Sequence, residues 1–173
     1  MFNVQQIAIS DYSRIVEIFL KTFPRTDDTD FATAWRTKEC NYSLGLYHKA
    51  TLVGFAITCI DAGKARIWFI AVDAEYRSAG AGTQLLNAVI NTVQAANLRL
   101  VLTPDNNPRV ISWYERHGFK IIQEFPFVHK DIPTYLMEWR QIEPNSPVST
   151  LLLDSQSDGT SRSSFDSFDS LKI

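Results

Sequence analysis

Little in this 173-residue sequence points to a metal, a membrane or a nucleic acid. Its two cysteines, Cys40 and Cys59, are too far apart to read as a metal-ligand pair and have no patterned histidines beside them, so both are expected to be buried or incidental thiols and no metal is expected. No run of about twenty apolar residues is present, and no secretory leader is legible at Met1. A soluble protein of the reducing cytoplasm is the expectation. There is no basic stripe interleaved with aromatics, and the formal net charge is −2, so a nucleic-acid surface is not expected either. What is present is ordinary for a folded domain, with 45% hydrophobic and 21% charged residues, in a chain long enough for one core and a tail.

Glycine is sparse, yet two of the seven glycines, Gly80 and Gly82, fall in one turn. Before them, Ile67 to Val72 is apolar and rich in β-branched and aromatic residues, the pattern of a strand covered on both faces. After them, Leu85, Leu86, Val89, Ile90 and Val93 recur at helical spacing, so a helix is expected from about Ala81. A strand, a turn without Cβ atoms and a helix N-terminus together make an anion site: backbone N–H groups converge there, and the helix end adds roughly half a positive charge. Spacing narrows the choice. No Lys follows Gly82, which excludes a Walker A loop, and Leu85 stands where a dinucleotide fingerprint needs its third glycine.

What remains is Arg77-x-x-Gly80-x-Gly82, with Val72 five residues before the arginine. This resembles the acyl-CoA site of the GNAT superfamily of N-acyltransferases, whose pattern is Gln/Arg-x-x-Gly-x-Gly/Ala. A second stretch, Asn107-Pro108-Arg109-Val110-Ile111-Ser112-Trp113-Tyr114-Glu115-Arg116-His117-Gly118-Phe119, is similar to the family's Asn-x-x-Ala-x-x-x-Tyr-Glu-x-x-Gly-Phe, with Val110 in place of Ala. Its local chemistry agrees: Asn107 suits an N-cap, Pro108 a first helical position and Gly118 a helix stop.

The resemblance implies a mixed α/β fold with a mostly antiparallel sheet of about seven strands and helices on both faces, covering residues 1–142. It implies acetyl-CoA as donor. The thioester arm would lie against the central strand at Ile70, Ala71 and Val72, with a backbone N–H near Val72 meeting the oxyanion. The pyrophosphate would rest on the backbone of Ser78, Ala79, Gly80, Ala81, Gly82 and Thr83, with Arg77 at its edge. Asn107 would cap its helix and touch the cofactor arm, and Arg109, Arg116 and Lys120 are candidates for the ribose phosphate. Tyr114 matches the family tyrosine that protonates the departing thiolate. Simpler readings stay open: Arg77 as an exposed strand-end residue, and Tyr114 as an aromatic packed under its helix.

Elsewhere the chain reads as a first strand over Phe2 to Ile9 and a helix presenting Ile15, Val16, Ile18, Phe19 and Phe23, closed by Pro24. An acidic segment, Thr26 to Asp30, precedes a short helix around Phe31 to Lys38. In the resembled family this segment lines the acceptor pocket, so Asp27, Asp28 and Asp30 would suit a cationic amine. An N-cap cluster explains them equally. Strands are expected at Tyr42 to His48, Leu52 to Ile60, Leu98 to Thr103, Phe119 to Phe125 and Tyr135 to Ile142. The last two would be joined by a loop holding Pro126, His129, Asp131 and Pro133, with His129 a further acceptor-side candidate. Where histone-acetylating members carry a glutamate, this chain has Arg66, which speaks against direct carboxylate deprotonation. The base is left open between a water relay to Asp27, Asp28, Asp30 or His129 and binding of the neutral amine.

From Glu143 the composition shifts. Five acids against two bases and nine serines between Ser146 and Ser170 describe a segment with too little apolar area to order itself. Leu151 to Leu153 and the repeated Phe-Asp pairs are a candidate docking motif for a protein partner, and the serines candidate phosphorylation sites. The expected activity is acetyl transfer to a primary amine, with polyamines and other small amines slightly ahead of protein amines. Two rivals remain: a silent acyl-CoA-binding module recruiting partners through residues 143–173, and a nucleotide-binding protein with another phosphate loop.

Overall fold

The computed structural model describes residues 1–24, 26, 28–94, 98–102, 109–129 and 132–140. The proposed tail, Asp27, Asn107 and Asp131 lie outside them. Seven strands form one sheet in the order β1-β2-β3-β4-β5-β7-β6. They are β1 (Phe2–Gln6), β2 (Leu44–His48), β3 (Thr51–Asp61), β4 (Lys64–Val72), β5 (Leu98–Leu102), β6 (Phe119–His129) and β7 (Ile132–Trp139). Helices α1 (Tyr12–Thr22) and α2 (Asp28–Thr37) precede β2, α3 (Ala81–Val93) joins β4 to β5, and α4 (Arg109–Arg116) precedes β6.

The sheet separates two apolar cores. On one face α1 buries Ile15, Ile18 and Phe19, at the i, i+3, i+4 spacing of a helix stripe, against Phe55, Ile57 and Ala71 of the sheet. On the other, Leu85, Leu86 and Val89 of α3 pack with Val53, Ala56 and Ile67. Between Ile57↔Phe69 and Thr58↔Ile67 the β3–β4 register slips and leaves Trp68 as an extra residue in β4. A bulge of this kind re-aims the residues that follow it. Beyond it Phe69 and Ala71 pack on the α1 side, and Ile70 and Val72 on the α3 side.

Every β pairing is antiparallel except that of β4 with β5, whose parallel ladder consists of Arg66↔Arg99 and Ile67↔Leu100. Both strands run on past those pairs. Among the described residues no ladder joins their carboxyl ends, which therefore part.

Three boundaries differ from the sequence reading. The first strand ends at Gln6, and Ile9 lies in a 3₁₀ turn with its side chain exposed. Helix α2 begins at Asp28, so Asp28 and Asp30 occupy its first turn, where the helix dipole favours acids. The expected loop around Pro126 and Pro133 is mostly strand. Phe125 pairs with Thr134 and His129 with Ile132, so residues 126–128 oppose Pro133 alone. A proline without an N–H is tolerated there because β6 is an edge strand and the register breaks at that point.

Candidate active site

The exit of β4 is fastened from several sides. Asp73 donates its N–H to the Val53 carbonyl at 2.8 Å, and its carboxylate meets Nη2 of Arg14 at 2.6 Å. Arg14 also donates from Nε to the Leu52 carbonyl at 3.1 Å, so one guanidinium on α1 ties β3 to the start of the turn. The opposition to Glu17 and Asp73 holds the Arg14 proton more firmly than usual, the Glu17 hydrogen bond being the largest cause. Gly54 stands opposite Val72, and a Cβ there would lie 2.9 Å from the Ala71 carbonyl oxygen. Close approach of β3 to the end of β4 thus depends on this glycine.

After β4 the chain makes a 3₁₀ turn, Ala74–Ala79, and reaches Gly80 at φ 74°, a left-handed conformation costly for residues with a Cβ. Helix α3 starts at once. The N–H groups of Ala81, Gly82 and Thr83 come before the i→i−4 ladder takes over at Gln84, which donates to the Gly80 carbonyl at 3.0 Å. The backbone of Ser78 and Ala79 lies in the turn; their side chains are not among those described.

Facing this helix start is a cavity of about 350 Å³. Val72, Gly80, Gly82 and Thr83 form one wall and Arg109, Val110, Trp113 and Arg116 of α4 the other, with Arg77 at the rim. Among the described residues, three guanidinium groups and no carboxylate line it. A Cβ at Gly82 would sit 3.5 Å from Cζ2 of Trp113, an ordinary contact, so a side chain there would take up cavity space rather than collide with the protein. His117 braces the two walls: Nδ1 donates to the Trp113 carbonyl at 2.7 Å, and in the neutral ring Nε2 accepts from the Thr83 hydroxyl at 3.2 Å. Amides at a helix start, a left-handed glycine and flanking guanidiniums fit a diphosphate.

Arg77 is more than a rim charge. It donates from Nε to the Val72 carbonyl at 2.9 Å and from Nη2 to Thr22 Oγ1 at 3.2 Å, stapling the turn to β4 and to the last residue of α1.

Tyr114 lies on α4 with its ring buried, edge-on to Trp113 at 4.8 Å and to Phe119 at 5.4 Å. Burial pushes its hydroxyl well above the usual phenol range. Among the described residues no group hydrogen-bonds that hydroxyl, and Tyr114 belongs to the same core as Val72 rather than to the cavity wall, which Trp113 supplies. Arg66 is engaged with Asp61 at 3.3 Å and lies over the Trp68 ring at 4.6 Å. Of the acceptor-side candidates, Asp28 is placed in the first turn of α2 and His129 at the end of β6, both by backbone alone. Asp30, half-buried in α2, has an interaction partner.

The sequence reading omitted Thr22, the Arg14–Asp73 clamp and Trp113 as a cavity wall. Only Trp113 carried a signal, as a large apolar residue within the second motif.

A sequence profile described as Acetyltransferase (GNAT) family matches residues 11–119. The chain belongs to the GNAT family. A comparison with curated proteins finds no match. Among solved structures this GNAT chain is similar to Ard1 from Thermoplasma volcanium, at 21% identity and a TM-score of 0.72, covering 82% of this chain and 99% of that one. It is similar to the ribosomal-protein-S18-alanine N-acetyltransferase from Escherichia coli, at 22% identity, a TM-score of 0.68 and coverage of 85% and 99%. It is also similar to Arabidopsis thaliana Naa50 in complex with the bisubstrate analogue CoA-Ac-MVNAL, at 20% identity, a TM-score of 0.65 and coverage of 79% and 97%. As a GNAT protein it is an acyl-CoA-dependent N-acyltransferase. Among the described residues no helix is long and apolar enough to cross a membrane.

Proposed function

We propose that this chain moves the acetyl group of acetyl-CoA directly to a primary amine within a ternary complex. The observation that carries the reading is the cavity at the start of α3, where first-turn amides, left-handed Gly80 and three guanidiniums meet on the side of the sheet reached by the parting of β4 and β5. When bound there, acetyl-CoA supplies an activated thioester. Arg77, Arg109 and Arg116 would hold its phosphates, with Asn107 beside the arm. Ile70 to Val72 would align the acyl end along β4, and a backbone N–H near Val72 would stabilise the oxyanion.

Tyr114 is our candidate general acid. Its hydroxyl, kept protonated by burial, has a proton to deliver to a departing thiolate. Arg66 supplies no base, being a guanidinium engaged with Asp61. We infer that the amine arrives neutral or loses its proton through water toward Asp27, Asp28, Asp30 or His129.

Two acceptor classes compete. The acids at the start of α2, Asp28 and Asp30, favour a small cationic amine such as a polyamine. The names of two solved relatives, an S18-alanine N-acetyltransferase and a complex with a CoA-linked MVNAL peptide, support a protein amine, and we place that class first. Free-thiol release from acetyl-CoA is the test, run against polyamines, amino acids and peptides. Turnover with one class supports the transferase. Binding of acetyl-CoA without turnover would favour the silent module, which the lack of a carboxylate at position 66 keeps in play.

A further inference from the structure

His117 follows the last residue of α4 and is half-buried. Its backbone N–H donates to the Tyr114 carbonyl at 2.9 Å, so the N–H that would meet the Trp113 carbonyl in a continuing helix goes elsewhere. The imidazole takes its place, with Nδ1 2.7 Å from the Trp113 oxygen. A carbonyl can only accept, so Nδ1 carries a hydrogen whatever the charge of the ring. Nε2 is then the one nitrogen that can gain or lose a proton, and its partner is the Thr83 hydroxyl at 3.2 Å. The Trp113 indole, 4.6 Å away ring to ring, packs against the imidazole and helps hold it there.

A hydroxyl has one hydrogen to give, and the ring decides where it goes. Against a neutral imidazole, Thr83 donates to Nε2 and has only lone pairs left for the cavity that it lines. Against an imidazolium, Nε2 donates to Thr83 Oγ1, and the hydroxyl hydrogen is released. The first state offers an anion an acceptor and the second offers it a donor, beside the first-turn amides of α3. The charges on the elements around the ring can be named. Helix α3 has no ionisable side chain. Helix α4 carries Arg109, Glu115, Arg116 and the buried Tyr114, the turn carries Arg77, β6 begins with Lys120 beside Phe119, and Glu138 of β7 is already held by Arg99 and Arg140. Arg77, Arg109 and Arg116 face the cavity and oppose a further positive charge nearby, whereas the carbonyl end of α4 favours one. With phosphate charge in the cavity the opposition is offset, and the imidazolium is favoured.

Resting on the acetyltransferase reading, we propose that His117 is a positioning residue for the acyl-CoA phosphates: it takes up a proton at Nε2 as the donor binds, and the Thr83 hydroxyl so released donates to a phosphate oxygen. The proton comes from solvent, one N–H bond forms on Nε2, and no other covalent bond changes. A donor that prefers the protonated ring must bind more weakly as pH rises through the range in which an imidazole discharges, about pH 5 to 8. The added hydrogen bond meets a charged acceptor, so its loss is expected to weaken binding about tenfold.

The experiment titrates acetyl-CoA calorimetrically in buffers of different ionisation enthalpy, which counts the protons taken up, for wild type, His117→Gln, Thr83→Val and Thr83→Ser, with folding checked by circular dichroism. Wild type is expected to take up more protons per acetyl-CoA than His117→Gln, a difference from which protons exchanged by the donor's own phosphates cancel. Thr83→Ser, which keeps the hydroxyl, is expected to match wild type, and Thr83→Val to fall toward His117→Gln. Between about pH 6 and pH 8 wild type is expected to lose about tenfold more affinity than His117→Gln. If His117→Gln does not fold, nitrogen NMR of the His117 ring in wild type takes over: Nε2 protonated in the complex and not in the free protein at one pH supports the relay, and an unchanged ring overturns it. Equal uptake in wild type and His117→Gln, or in Thr83→Val and Thr83→Ser, would overturn the relay and leave the acetyltransferase reading standing. Failure of wild type to bind acetyl-CoA at any pH in that range removes the acetyltransferase reading itself, and the relay with it.

Discussion

Arg77 donates from Nε to the carbonyl of Val72, five residues earlier, across 2.9 Å. The arginine that marks the phosphate turn in the sequence is therefore also the brace that holds the end of β4 against it. Replacing Arg77 with Lys keeps one charge and loses the fork that reaches both Val72 and Thr22. Arg77→Lys is expected to weaken acetyl-CoA binding roughly tenfold, about 1.4 kcal/mol, and to lower the melting temperature by a few degrees, measured by calorimetry and thermal denaturation. Unchanged affinity would show that the brace does not shape the site.

Gly54 and Gly63 separate steric from conformational need. A Cβ at Gly54 would press on the Ala71 carbonyl at 2.9 Å, whereas Gly63, at φ 74°, has nothing within 4 Å. Gly54→Ala is expected to destabilise by about 1–3 kcal/mol and to raise the KM for acetyl-CoA, since the displaced strand is β4. Gly63→Ala is expected to cost only about 1 kcal/mol in denaturant titrations, with KM unaffected.

Glu138 is 4% exposed and bonded by Arg99 at 2.8 Å and Arg140 at 3.1 Å. Burial alone would raise its carboxyl pKa, but the two arginines outweigh burial and hold it below the ordinary value. A depressed carboxylate contributes stability that is present above its unfolded pKa, about 4.3, and lost as pH falls through the folded one. Glu138→Gln is therefore expected to be less stable than wild type at pH 7 and to lose less stability than wild type as pH falls below about 4. Parallel acid titrations of the two proteins by circular dichroism check this; identical acid slopes would contradict it.

Tyr114→Phe separates chemistry from packing. Removing a hydroxyl to which no described residue hydrogen-bonds, at the tip of a buried ring, is expected to change stability by less than about 1 kcal/mol. Loss of a general acid is expected to lower kcat about 100-fold. Because burial raises the phenol's pKa, no alkaline loss of kcat from this group is expected below pH 10. Wild-type kcat in the variant would leave Tyr114 as an aromatic packed under its helix.

The parts of the fold written in local chemistry were legible. Gly80 was readable as a turn residue because only a residue without Cβ sits easily at φ 74°, and α3 because Leu85, Leu86 and Val89 repeat at helical spacing. The long-range parts were not. Arg14 and Asp73 are 59 residues apart and nothing local announces their pairing. Pro126 and Pro133 read as a loop because proline denies a ladder its donor, and only sheet order shows that β6 is an edge strand where that costs little. The Trp68 bulge that turns Phe69 toward α1 likewise has no signature in composition.

Titration of acetyl-CoA into the purified protein by calorimetry, beside ATP and NAD, tests the central claim most directly when repeated with Gly82→Leu. The expected result is one acetyl-CoA bound per chain, little response to ATP or NAD, and loss of binding in the variant, whose new side chain would occupy the cavity facing Trp113. Acetyl-CoA binding that Gly82→Leu leaves intact, or no acetyl-CoA binding by wild type, would contradict the placement of the donor at the start of α3.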